Sequence, residues 1–106
     1  SWCGGLSEAR KIAGMAEAWH TPVAPHDCTG PVVYAASCHF SMHARNTLIQ
    51  ESVRAFYTGW YTELVTDLPR AENGMITISD APGLGLELLP GLEDRPDSIV
   101  RVSRLD

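Results

Sequence analysis

Two short segments, TPVAP at residues 21–25 and TLIQES at residues 47–52, flank a stretch, VVYAASCHFSMHA, that is apolar around most of a helical circumference. TPVAP is too short for a helix, carries Pro22 and Pro25 near its ends and is apolar on both faces, which predicts a buried strand. TLIQES, with Leu48 and Ile49 at its centre, predicts a second strand. The stretch between them, residues 32–44, predicts a helix packed on both sides. It is entered through Asp27-Cys28-Thr29-Gly30-Pro31, where glycine permits a tight turn and Pro31 suits the first helical position, and it is broken at Arg45-Asn46.

Upstream, SEARKIAGMAEAWH places Ala9, Ile12, Ala13, Ala16 and Trp19 at three- and four-residue spacing, with Glu8, Arg10, Lys11 and Glu17 elsewhere on the wheel. That predicts an amphipathic helix with Ser7 as N-cap and Glu8 at the positive end of its dipole. Trp2-Cys3-Gly4-Gly5 reads as the end of a further strand whose beginning is absent. Helix, strand, helix, strand is the repeating unit of a parallel sheet with covering helices, so an α/β class is expected.

Beyond Ser52 the rhythm changes. Val53, Phe56, Tyr57, Trp60, Tyr61 and Leu64 recur at helical spacing, although Gly59 weakens that helix. MITIS and GLELL flank the turn DAPG and predict a β-hairpin or two short paired strands, and SIVRV predicts an edge strand.

Composition excludes several function classes. With 106 residues the chain fits one domain at most. Eight basic against 13 acidic residues give a net charge of −5 without any Lys/Arg cluster, which argues against a nucleic-acid partner. No run approaches the roughly 18 apolar residues of a membrane span, and SWCGGLSEARK lacks the pattern of a secretion signal. A soluble, cytoplasmic protein with no membrane partner is expected. Cys3, Cys28 and Cys38 are odd in number and form no C-x-x-C pair, which fits free thiols in a reducing compartment.

Parallel neighbouring strands lie about 4.8 Å apart with their carboxyl ends on one side. His26 follows the first strand and Glu51 follows the second, 25 positions later, so both side chains are expected at the same rim of one sheet. That rim is where parallel α/β sheets bind ligands and draw catalytic residues, and a histidine beside a glutamate there is suited to moving protons. Bland alternatives stand beside this reading: a turn histidine bonded to its neighbours, and a solvated carboxylate at a helix start. His39 and His43 form H-x-x-x-H, but Phe40 stands where a zinc protease needs glutamate, so they read as core or surface histidines. Gly83 and Gly85 are followed by no third glycine and no helix, and read as a turn. The aromatic cluster Phe56, Tyr57, Trp60 and Tyr61 reads as packing before it reads as a pocket. A Cys28–His26 nucleophile is disfavoured because both lie on one loop.

WCGGLSEARKIAGMAEAW, VAPHDCTGPV, LIQE and PRAENGMITISDAPGLGLEL, in that order, resemble the final third of the mandelate racemase and muconate lactonizing branch of the enolase superfamily. The similarity is greatest to acid-sugar dehydratases of the galactonate dehydratase type, and it covers nearly the whole chain. It implies a C-terminal fragment of a (β/α)7β barrel: residues 1–68 as the last βα units, and residues 69–106 as a hairpin and a segment returning to the capping domain. It further implies Mg²⁺, held by carboxylates upstream of this chain, and removal of the proton α to the carboxylate of an acid-sugar substrate, followed by loss of water.

Under the resemblance His26 becomes the general base ending the seventh strand. Glu51 becomes the group ending the eighth, hydrogen-bonded to the substrate carboxylate or enediolate, and an aspartate partnering the histidine is expected just before Ser1. A full barrel needs about 250 residues, so the fragment is expected to be inactive alone, with unpaired sheet edges, and the complete enzyme to be a homo-oligomer. A racemase or epimerase of the same superfamily starts with the same proton abstraction. A non-catalytic small α/β binding module is the competing reading from a different class.

Overall fold

The computed structural model describes residues 2–104. Its first helix, α1, spans Leu6–Ala18, and Gly5 occupies the cap with φ 100° and no side-chain hydrogen bond. The expected Ser7 cap is therefore displaced: Gly5 turns the chain into the helix two residues earlier. Trp2–Gly5 form turns and bends, not the end of a strand.

The expected first parallel pair is present but thin. β1 is His26–Asp27, β2 is Glu51–Ser52, and the two run parallel with His26 opposite Glu51 and Asp27 opposite Ser52. β1 thus begins only after TPVAP, the expected first strand, which itself forms no strand and meets TLIQES at an isolated parallel bridge between Val23 and Thr47. Proline explains the thinness, because Pro22 and Pro25 have no N–H to donate. Beside the strand ladder, backbone bonds join the two segments from Val23 N–H to the Asn46 carbonyl at 2.9 Å, from Leu48 N–H to the Val23 carbonyl at 2.9 Å, and from Glu51 N–H to the Pro25 carbonyl at 2.8 Å.

The spacing of those pairs carries a consequence. Between Val23 and His26 the first segment advances three residues, while between Thr47 and Glu51 the second advances four. One extra residue is accommodated in Leu48–Gln50, a bulge of a kind rare in parallel pairs. Without it the register set at Val23 would put Gln50 beside His26, and a one-residue slip turns side chains to the opposite face. The bulge therefore delivers Glu51 to the rim. Gln50 is held on the helix side instead: its Oε1 accepts hydrogen bonds from the Ser37 hydroxyl at 2.9 Å and the Ser41 hydroxyl at 2.8 Å, and its Nε2 donates to the Glu51 carbonyl at 2.8 Å.

Between the strands runs α2, Pro31–His43, with Pro31 in the first turn as expected. Its buried residues are Pro31, Tyr34, Ala35, Cys38 and Phe40, while Val32 and Met42 are exposed, so only part of its circumference is packed. α1 rests on it through Ala13, and Asn46 ties the two together by donating to the carbonyls of Ala13 and Thr21.

After β2 the expected long helix is broken in two. α3 covers Arg54–Tyr57 and a 3-10 turn covers Trp60–Glu63, with Thr58-Gly59 between them. Gly59 adopts φ −119° and ψ −122°, and a Cβ there would stand 2.5 Å from the Ala55 carbonyl oxygen. The break folds the aromatic residues back onto α2, forming a core of Tyr34, Cys38 and Tyr61 against which Phe56, Tyr57, Leu68, Ile76 and Ile78 pack.

The expected hairpin forms with a different partner. β4, Met75–Thr77, pairs antiparallel with β3, Arg70–Glu72, around Asn73-Gly74, while GLELL contributes only an isolated bridge from Leu88 back to Val65. Asn73 and Gly74 both have positive φ, 51° and 78°, which is the geometry of a two-residue hairpin turn, and the Asn-Gly pair is its strongest sequence signal. Ser98–Val102 is not a strand, and Ile99, Val100 and Val102 are exposed.

Much apolar surface stays uncovered. Leu6, Ile12, Met15 and Trp19 on or beside α1 are exposed, and the radius of gyration is 15.3 Å against about 13 Å for a compact domain of similar length. Two glycines test the backbone account. Gly59→Ala meets a carbonyl and is expected to destabilise by about 3 kcal/mol, the upper end of ordinary point changes. Gly74→Ala meets nothing within 4 Å and incurs only left-handed strain, about 1 kcal/mol. Urea unfolding of the two variants checks the order; equal losses would remove the steric explanation for the broken helix.

Candidate active site

His26 and Glu51 come together as expected. Parallel register puts them directly opposite, and His26 Nδ1 lies 3.3 Å from Glu51 Oε2. Their side chains are 52% and 49% exposed, so the pair contributes only about 0–1 kcal/mol to stability. Its significance is orientational. Nδ1 faces the carboxylate, which leaves Nε2 on the far side of the ring.

Asp27 behaves differently from its neighbour. Successive strand residues point to opposite faces, and Asp27 is 1% exposed, the only buried charged residue among those described. Its Oδ2 accepts a hydrogen bond from the Tyr61 hydroxyl at 3.0 Å, and the Thr29 N–H reaches Oδ1 at 3.4 Å. Sequence reading places Tyr61 in a packing cluster and gives Asp27 no role. The missed signal is a carboxylate immediately after the candidate base in a strand too buried to leave it unpartnered.

The remaining sequence candidates take structural roles. Tyr34 is stacked on Tyr57 with centroids 5.6 Å apart and donates to the Pro69 carbonyl at 3.2 Å. Phe56 and Trp60 pack edge-on, also at 5.6 Å. His39 Nε2 lies 3.3 Å from the Leu84 carbonyl oxygen, and His43 is exposed at the end of α2. Gly83 and Gly85 form left-handed turns, and Cys28 is exposed.

Beside the pair runs an apolar groove of about 480 Å³ lined by Leu6, Ile12, Val33, Phe40, Pro25 and His26 among others. Among the described residues no Lys or Arg lines it. A cation has no ligand set either. Among the described residues no group of three or more His, Cys, Asp or Glu side chains could hold one, so the Mg²⁺ implied by the resemblance does not fit the residues of this chain by themselves.

The buried polar groups next to the site also set an alkaline limit. Burial pushes the Cys38 thiol from 9.0 up to about 12. The Tyr61 phenol is pushed above its ordinary 10.0 first by burial and then by its hydrogen bond to Asp27, with a hydrogen bond from the Gly30 backbone opposing; Tyr34 is raised chiefly by burial. All three protons are bound more tightly in the folded chain than in the unfolded one. Their contribution to stability is therefore complete below pH 9.0 and is lost as pH rises toward 12, each ionising group steepening the fall by about 1.4 kcal/mol per pH unit. Unfolding free energies from urea titrations are expected to hold level to pH 9 and fall above it; no loss between 9 and 12 would contradict the burial of these groups.

Known proteins resemble this chain in sequence and fold. The family model described as enolase C-terminal domain-like matches residues 1–92. The D-xylonate dehydratase of Haloferax volcanii is 36% identical over 85 residues, covering 80% of this chain and 20% of that protein. An enolase of the mandelate racemase subgroup from Agrobacterium tumefaciens, solved with a succinimide residue, sodium and phosphate, superposes with a TM-score of 0.80 at 67% identity, over 88% of this chain and 25% of that one. A putative galactarate dehydratase from Agrobacterium radiobacter, solved with sodium and L-malate and an ordered active site, gives a TM-score of 0.74 at 29% identity over 97% of this chain and 29% of that one. The chain thus spans between a fifth and three tenths of the length of these relatives. No described helix is long and apolar enough to cross a membrane.

Proposed function

We propose, from the premise that the chain belongs to the enolase C-terminal domain-like family, that it supplies the base-bearing rim of a dehydratase acting on an acid sugar. The observation that carries the reading is the 3.3 Å approach of His26 Nδ1 to Glu51 Oε2 at the ends of two parallel strands. Relatives named D-xylonate dehydratase and putative galactarate dehydratase support the reaction class. Residues 1–68 form the last βα units of the barrel, and residues 69–106 the segment that returns to the cap.

In this reading Nε2 of His26 takes the proton α to the substrate carboxylate. The electron pair of the broken C–H bond moves into an enediolate and then expels the β-hydroxyl, which leaves as water carrying, in net, the proton that His26 removed. Glu51 hydrogen-bonds to the substrate carboxylate or enediolate, and the aspartate expected just before Ser1 partners the imidazole. Magnesium, the acidic substrate's cationic contacts and the substrate-selecting loops fall to residues outside these 106. The isolated chain accordingly does not turn over substrate, and the full-length enzyme is a cytoplasmic homo-oligomer.

The test is replacement of His26 by Asn in the full-length enzyme, followed by exchange of the substrate's α-proton with deuterated solvent. The expected loss is about 10²–10⁴-fold, the usual contribution of a general base. Exchange at the unaltered rate would remove His26 from the chemistry.

A further inference from the structure

We propose that Ser37 and Ser41 of α2 position Glu51 for the substrate by clasping Gln50, an inference that rests on the reading of Glu51 as the group that meets the substrate carboxylate or enediolate. Every contact in the clasp lies within residues 37–51. Ser37 and Ser41 are four residues apart on α2, so their hydroxyls stand one turn above the other on a single face. Both reach the same atom: Gln50 Oε1 accepts from Ser37 at 2.9 Å and from Ser41 at 2.8 Å, which occupies both lone pairs of the amide oxygen. The other end of the amide turns back on its own strand, where Nε2 donates to the Glu51 carbonyl at 2.8 Å.

Two features give the clasp a purpose beyond satisfying a half-buried amide. Serine hydroxyls inside a helix commonly bond back to the carbonyl one turn earlier, whereas both of these leave the helix for one acceptor on the strand. That acceptor sits in the bulge. A bulge interrupts the ladder, so the Gln50 side chain supplies an attachment where backbone pairing is weakest. The next residue is Glu51, whose backbone is tied on both sides, its N–H to the Pro25 carbonyl and its carbonyl to Gln50 Nε2. Loss of the clasp does not simply slip the strand by one residue, since that would set Glu51 opposite Asp27, a carboxylate only 1% exposed. It loosens the bulge, and with it the aim of the half-exposed Glu51 side chain. Ser37, Ser41 and Gln50 are positioning residues: they lie on the helix side of the strand and act on the substrate only through Glu51.

The experiment uses the full-length enzyme and two independent readouts. Amide hydrogen exchange over residues 47–52 reports the bulge, and steady-state kinetics separate kcat from KM. The pair Ser37→Ala/Ser41→Ala keeps good helix formers in α2 and leaves the Gln50 oxygen without its donors. Exchange over residues 47–52 is expected to quicken by about 10-fold relative to the remainder of the chain. In the same variant kcat is expected to fall by about 10- to 100-fold, the usual effect of small misplacements, with KM within a factor of about three. Adding Gln50→Leu to the pair packs an apolar side chain against the two alanines and is expected to return both readouts toward those of the unaltered enzyme. A direct chemical role for the amide or the hydroxyls would leave kcat low in that triple variant and would overturn the inference. In a Glu51→Gln background the serine pair is expected to lower kcat no further, because its effect passes through Glu51. Unchanged exchange over residues 47–52 in the serine pair overturns the inference, as does full kcat in that pair when Glu51→Gln is itself impaired. If Glu51→Gln turns over at the unaltered rate, the reading of Glu51 fails instead, and quickened exchange still supports the clasp.

Discussion

One extra residue between Leu48 and Gln50 decides what stands beside His26. The register begun at Val23 and Thr47 would bring Gln50 to the rim, and the bulge brings Glu51 in its place. The exchange is stable because Gln50 is satisfied where it lies, accepting two serine hydroxyls from α2 and donating to the Glu51 carbonyl. A carboxylate and an imidazole at the ends of adjacent parallel strands are then a matter of backbone geometry, not of chance surface pairing.

The two strands are secured in different ways. β2 is pinned through Gln50 to α2, and β1 through Asp27 to the 3-10 turn at Trp60–Glu63. Both anchors lead away from the rim into the layer that holds Tyr34, Cys38 and Tyr61. The half-exposed His26–Glu51 pair itself contributes little to stability, so the buried polar contacts behind it carry the restraint. This division suits the proposed role, in which the exposed members meet a substrate while their backbones stay fixed.

Much of this was legible from the chain. Alternation of apolar segments with Pro and Gly punctuation placed α1 and α2 within one or two residues and gave the parallel order of the two strands. Equal spacing along a repeat placed His26 and Glu51 at one rim. The errors arose where a local pattern met a stronger tertiary demand. Helical spacing over 53–64 ignored that Gly59 could break the helix and fold its aromatic residues onto α2. Apolar alternation linked MITIS to GLELL, although the Asn73-Gly74 turn pairs Met75–Thr77 with Arg70–Glu72. Ser98–Val102 had strand composition but finds no neighbour to pair with among the described residues. The bulge and the Tyr61–Asp27 bond could not be read from spacing, because each depends on which residue of a neighbouring element completes a hydrogen bond.

A crystal structure of the full-length enzyme with a substrate-like carboxylate bound tests the central claim most directly. The account predicts Glu51 in hydrogen-bond reach of the ligand carboxylate, His26 Nε2 directed at the α-carbon of the ligand, and Gln50 still bound to Ser37 and Ser41. A structure in which Gln50 stands beside His26, or in which the ligand lies on the opposite face of β1 and β2, would contradict it.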